Sequence, residues 1–386
     1  MTDFMLGTCL SMCPDKERWM REREGLLHVL EIDEKAKRSK RPKADPSKIV
    51  KCFSRPAAGQ LMPDTTELRP AHVLLSTINY LFMKVVTRVD YDWAMIYDFV
   101  FDRLRAIRQE VVIQRIREAQ SIQILEPIVR FHVYAGQRLC EKSISVFDPK
   151  INSQHLLECL KQLLVLYDQI EERSNPDNHN RNDNHKIEED IELLSIGNSR
   201  SQMEALYVLL HLGDVSALRR GLSLPEKYSK DVKLSMKISL AWFLKNYVRS
   251  FKFIQKLSPL LMFAAFLNLR QLRRDTFRIM SSAYNSKVLT FPGLKLQEIL
   301  MYKDVEKLAA DCQLFNLSFA QKNVQFEAVK FNKEGFNNCQ TFFTFYETNI
   351  LYFFFFQAHP DMFFTLQIYQ GYLPDILLQN DDPVDD

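Results

Sequence analysis

Glycine and proline are scarce in this 386-residue chain, ten and fifteen respectively. A many-stranded sandwich or barrel needs a turn signal every 8 to 12 residues or so, so the sparse punctuation points to long helices. Cysteine is scarce as well: there are seven, an odd number, far apart except for Cys9 and Cys13. That is no disulfide framework, and it fits a reducing compartment. No apolar run approaches the roughly 18 residues of a membrane-spanning helix. The opening MTDFMLGTCLSM lacks the basic region ahead of an apolar core that marks a secretory signal. A glycine-rich phosphate loop, a Gly-x-Ser-x-Gly elbow and a carboxylate pair set by helical periodicity in one cleft are missing too. The expectation is a binding protein without enzymatic activity, cofactor, small-molecule substrate or membrane partner.

What is present is a core and a great deal of charge. Hydrophobic residues make up 46% of the chain and the net charge is +3. The length allows about two to three domains or one extended helical array. The stretch DFVFDRLRAIRQEVVIQ, residues 98 to 114, sets Phe101, Leu104, Ile107 (or Arg108), Val111 and Val112 at helical spacing, so one face is buried. Asp98, Asp102, Arg103, Arg105 and Arg108 crowd the rest. An exposed Asp102–Arg105 pair contributes only about 0.2–0.5 kcal/mol, too little to account for so many charges. Either this is a solvated face, or Arg103, Arg105 and Arg108 tie neighbouring elements into the core, since a guanidinium offers five donors in a fixed fork. On the second reading Arg105→Ala costs about 2–4 kcal/mol by stranding buried acceptors.

In chain order, Pro14 suits the first turn of a helix with Asp15 and Glu17 near its positive end. Cys9 and Cys13 have no second Cys/His pair nearby to complete a four-ligand zinc site, and they read as buried structural thiols. A thiol enzyme using either with His28 is the remote alternative. Residues 35 to 55 carry nine Lys/Arg against the single acid Asp45, a solvated linker or a basic arm. Helices are expected from Leu68 onward, with Val73, Leu74, Ile78 (or Thr77) and Leu81 buried, then at 92–117, 119–142 and 153–171. Their short links imply antiparallel pairs. Residues 171–190, rich in Asn, Asp and His, form the clearest break, and His179, Asp183 and His185 there make a poor metal cage. Ser201 and Glu204 resemble a capping box where helices resume.

A helix expected from Ile238 to Leu257 spaces Lys245, Arg249, Lys252 and Lys256 at four, three and four, which places four cations on one stripe. The next carries Arg270, Arg273, Arg274 and Arg278, with Asp275 the only acid among them. A basic ridge of this kind is the electrostatic footprint of phosphate, or of an acidic protein partner. If phosphate is the ligand, reversing Arg273 and Arg274 to Glu abolishes binding at unchanged stability. Residues 294–331 read as two short helices and a hairpin with Val324, Phe326, Val329 and Phe331 as its apolar positions, a winged-helix pattern. Residues 337–386 contain no Lys or Arg, seven acids and the run ILYFFFF. The whole chain carries +3 and this stretch −7, so residues 1–336 carry +10. It reads as a divergent tail that a shorter chain can lose, with a partner-binding tail as the alternative.

GTC, MCP and ER within residues 7–18, VKCFSRPAAG at 50–59, LRPAHVLLSTINYLF at 68–82, FVFDRLRAIRQE at 99–110, FDPKINSQHL at 147–156 and NYVRSFKFIQK at 246–256 closely resemble, in order, the blocks of the Sac-three/GANP family of messenger-RNA export scaffolds. The resemblance covers roughly residues 7–331 and is strongest to the short members. It implies an all-α, PCI-like array of antiparallel helix pairs ending in a small winged helix. The corresponding division is an N-terminal motif and basic arm (1–60), a helical array (61–292), a winged helix (293–336) and the tail (337–386). It also implies a PCI-type helical protein, a small acidic peptide-like subunit and single-stranded RNA or DNA as partners. The settings it implies are nucleus and cytoplasm, for messenger-RNA export, and centrosome and spindle, the role linked to short members.

Overall fold

The computed structural model describes residues 5–35, 42–55, 63–174, 199–224, 229–328 and 332. These are mostly helical, with a small three-stranded antiparallel sheet near the C-terminus. Local signals set the early boundaries. Pro14 precedes α1 (Asp15–Glu24), whose first turn holds Asp15 and Glu17 and whose end is closed by Gly25 at φ 69°. Helix α2 (Ala71–Tyr80) starts after Pro70 and buries Val73, Leu74, Thr77 and Ile78. Asp92 caps α3 (Trp93–Gln114) by accepting from the Ala94 N–H at 2.7 Å, and Arg115 ends it in the left-handed region.

Helix α4 (Glu118–Arg138) is the hub of packing. It is buried all round from Ile124 to Gln137, as a helix sheathed by others must be. It lies along α5 (Pro149–Ser174) and also against α10 (Pro259–Leu267) and α2. Its buried His132 is satisfied from α5. Asn152 of α5 donates to the His132 carbonyl at 2.9 Å, and its Oδ1 accepts from His132 Nδ1 at 2.8 Å and Tyr97 Oη at 3.2 Å. Three helices therefore meet on one amide. Burial pushes His132 down to about 3, so the ring stays neutral.

Beyond α5, a helix across residues 199–210 (α6) and α7 (Val215–Ser223) are stitched to it by charge. Arg220 of α7 reaches Glu204 at 2.7 Å and Asp168 at 3.1 Å. Ser201 lies inside α6, and the buried Glu204 accepts from Arg220, so the pair forms no capping box. Residues 36–41, His179, Asp183, His185, the rest of the 175–198 stretch, and residues 333–386 lie outside the described residues.

The single helix expected over 238–257 is two, α8 (Ser229–Phe243) and α9 (Tyr247–Ile254). Lys245 takes φ 61°. Its N–H bonds the Trp242 carbonyl at 2.9 Å, and the Asn246 N–H bonds that of Ala241 at 2.8 Å. This is a Schellman closure with lysine at the usual glycine position. Asn246 then caps α9 by accepting from the Arg249 N–H at 3.1 Å. Asn246 is the signal in the sequence that the helix breaks.

After α11 (Leu269–Ala283) come β1 (Phe291–Pro292), α12 (Gly293–Leu300), α13 (Val305–Leu314), β2 (Ser318–Ala320) and β3 (Asn323–Gln325). The strand order is β1-β3-β2, with Val324 in register with both Phe291 and Phe319. A Cβ on Gly293 would lie 2.5 Å from the Lys322 carbonyl oxygen, so only glycine lets α12 start against the β2–β3 turn. Val324 and Phe326 are buried as their alternation requires, while Val329 and Phe331 fall outside the described residues. One apolar core runs from Leu30 to Phe326, with a small satellite of Cys13, Ala44 and Ile49.

Candidate nucleic-acid interface and its buried supports

The charges of α3 divide by depth. Arg103 is buried, with its guanidinium 4.3 Å over the Phe99 ring, and donates to Glu31 at 3.0 Å and Asp102 at 2.6 Å. Glu31 is fully buried at the end of a single tight turn (Val29–Glu31). Its carboxylate also pairs with Arg21 of α1 and accepts the Val50 N–H at 3.0 Å and the His28 N–H at 3.3 Å. One carboxylate thus meets two guanidinium groups and two backbone donors, which fills its acceptor capacity.

A second buried pair lies two turns along α3. Arg69, fully buried, forks onto Glu110 with its nearest contact at 2.9 Å, and its own N–H reaches the same carboxylate at 2.8 Å. Arg69 also donates to the Met12 carbonyl at 3.0 Å. Gln114 donates to the Arg69 carbonyl at 2.7 Å and accepts from the Gly7 N–H at 2.9 Å. Gly7 and Met12 of the GTC and MCP motifs are thereby fastened to the last turns of α3. A Cβ on Gly7 would meet the Leu68 carbonyl oxygen at 2.4 Å, which explains glycine there.

Arg105 and Arg108 sit nearer the surface. Arg105, half-buried, lies 3.8 Å over the Phe53 ring and 5.7 Å from Phe101, held by ring faces. The expected pairing partner, Asp102, instead serves Arg103 and the Phe53 N–H. Arg108 bridges to α5, 3.1 Å from His155 and 3.4 Å from Glu158. The supports that sequence reading missed are Arg21, Glu31, Arg69, Glu110, Gln114 and Asn152.

Cys9 and Cys13 are both buried. Burial pushes the Cys13 thiol well above its usual range, the opposite of what a nucleophile at neutral pH requires. His28 is engaged elsewhere, its Nδ1 accepting the Leu30 N–H and its ring 4.7 Å from Phe99. Among the described residues no cluster of three His, Cys, Asp or Glu side chains has a metal-binding arrangement.

The basic ridge is exposed on its first half and divided on its second. Lys245 stands at the α8–α9 joint, and Arg249, Lys252 and Lys256 follow along and just past α9, all exposed. Among the described residues none of the four meets a carboxylate; Arg249 lies 5.4 Å over Phe253. On α11, Arg278 is exposed and 3.8 Å from Asp275, while Arg270 and Arg274 are half-buried. Arg273 leaves the ridge altogether. It is 1% exposed, stacks 3.7 Å over Tyr302, and donates to the Leu300 carbonyl at 3.0 Å and the Met301 carbonyl at 2.6 Å. A guanidinium there satisfies the orphan carbonyls and the negative end of α12. Both basic groups border α12, since α9 packs on it and Arg273 caps it.

A family model described as the SAC3/GANP family matches residues 12–321, from the MCP motif to the β2–β3 turn. The chain belongs to that family. Among its SAC3/GANP relatives, SAC3 family protein 1 of Schizosaccharomyces pombe is 27% identical over 356 residues, 86% of this chain and 32% of that protein. Protein xmas of Drosophila melanogaster is 34% identical over 173 residues, 42% of this chain and 8% of its own length. SAC3 family protein B of Arabidopsis thaliana is 30% identical over 170 residues, covering 42% and 10%. The chain therefore spans less than a third of each of these relatives. SAC3/GANP proteins are generally non-catalytic scaffolds for protein partners, and typically nuclear. No described helix of this SAC3/GANP chain is long and apolar enough to cross a membrane.

Proposed function

We propose that this chain is a non-enzymatic, PCI-like scaffold whose antiparallel helix pairs end in a winged helix built from α11, β1, α12, α13, β2 and β3. It docks a PCI-type helical protein and a small acidic subunit, and it holds single-stranded nucleic acid on its basic surface in nuclear messenger-RNA export. The observation that carries the reading is the exposed group Lys245, Arg249, Lys252 and Lys256, without a carboxylate partner among the described residues and beside the helix–helix–hairpin unit. Solvated cations normally mix with acids on a helix face, and an unmixed stripe serves phosphate. The centrosome and spindle setting linked to the family's short members is the alternative.

Engagement of all four cations would neutralise about four phosphates, and log affinity should then fall against log salt at a slope of about −3. Binding should be nearly indifferent to sequence, because phosphate contacts position a strand without reading its bases. A fluorescence-anisotropy titration of labelled single-stranded RNA across a salt series, with the chain alone and with its helical partner, measures both. Absence of binding at low salt in either form identifies the stripe as a protein-docking surface instead.

A further inference from the structure

The same joint carries a feature that phosphate does not use. Leu240 (49% exposed), Phe243 (48%), Leu244 (65%) and Val248 (44%) stand in water at the end of α8 and the start of α9, interleaved with Lys245, Arg249 and Lys252. No Asp or Glu occurs between Asp231 and Asp275. Three of the four apolar side chains are aliphatic and offer a base no ring to stack on. An occupant that satisfies the whole surface must be apolar and anionic at once.

We propose that residues 337–386 of this chain dock in cis on this surface. Their composition is its complement: no Lys or Arg, the acids Glu347, Asp361, Asp375, Asp381, Asp382, Asp385 and Asp386, and the aromatic runs FFTFY, YFFFF and DMFF. Charge of −7 faces a body of +10. The chain departs from a suitable place. Asn332, the last described residue, is held at the end of α13 by bonds to the Phe315 carbonyl at 3.0 Å and the Leu314 carbonyl at 3.3 Å. Helix α13 packs on α12, and α12 on α9. An extended chain covers about 3.3 Å per residue, so the stretch from Asn332 to Glu347 can span well over the width of two helices. Burial of the aromatic runs removes an exposed apolar segment that would otherwise drive aggregation. A seated tail sets carboxylates against the cations, and phosphate reaches them only by displacing it. Docking stands without the nucleic-acid reading, because it is read by contact rather than by RNA binding.

The test is zero-length carbodiimide cross-linking of the full chain with mass-spectrometric mapping, which joins a carboxylate only to an amine it touches. Linkages from Lys245, Lys252 or Lys256 to Glu347, Asp361 or Asp375, within one chain by isotope mixing, are expected. The variant Leu244→Asp/Val248→Asp keeps all three lysines, and its changed side chains are exposed, so it should melt as the parent does but lose those linkages. Tail carboxylates linked only to lysines elsewhere, only between chains, or unchanged in the variant overturn the proposal.

Discussion

Replacing Arg103 with alanine is expected to destabilise the chain by about 3–5 kcal/mol, because the buried Glu31 carboxylate loses one of its two guanidinium partners. Arg105→Ala, two residues on and on the opposite face of the same helix, should cost about 1 kcal/mol or less, the worth of a half-buried cation–π contact. Since a whole domain is stabilised by only about 5–15 kcal/mol, the first variant should be close to unfolding at physiological temperature and the second nearly normal. Urea titration followed by helical circular dichroism separates them. Equal midpoints for the two variants would show that the Glu31 cluster does not hold the N-terminal segment to α3.

The second large effect is expected at Arg273. Arg273→Glu removes both donors to the Leu300 and Met301 carbonyls and sets a carboxylate against them, in a site that is 1% exposed. A stranded buried acceptor costs about 1–3 kcal/mol, more when charge is added, so the loss should be about 3 kcal/mol or more. It should concentrate in the C-terminal unit. Amide exchange should speed up across residues 293–325 before it does in α3 and α4. The combined reversal of Arg273 and Arg274 is therefore not a clean probe of binding, contrary to the expectation from spacing alone. Arg273→Glu with parent-like stability and exchange would place this side chain back on the surface.

Element positions were largely legible, because they follow from apolar spacing and from caps. The stripe Val73, Leu74, Thr77, Ile78 and Leu81 is buried where the period puts it, and α3 starts and ends within three residues of its expected bounds. What periodicity does not report is which charges go inside. Arg103, Glu110 and Gln114 share the face of Ile107 at spacings of four, three and four, so the helical period did mark them as buried. Their polarity masked it, because a lone arginine on a core face needs a partner that lies far away in sequence: Glu31 is 72 residues from Arg103, and Arg69 is 41 from Glu110. The helix beneath the basic stripe, and the place of Arg273, were hidden for a similar reason. Regular spacing over 245–256 held across a helix break that only Asn246 announces, and the same spacing on α11 hid Arg273, whose acceptors belong to a helix about 27 residues on.

The most direct test of the proposed phosphate-binding surface is the double reversal Arg249→Glu/Lys252→Glu. Both side chains are exposed, and surface substitutions of this kind leave stability within about 0.5 kcal/mol. Labelled single-stranded RNA is titrated into the full-length parent and variant at several salt concentrations, alongside melting curves of both. A stable variant whose affinity collapses at low salt, and whose salt slope is shallower by about 1.4 for two lost phosphate contacts, is the expected result. A stable variant that binds RNA with the parent's affinity and slope would contradict it.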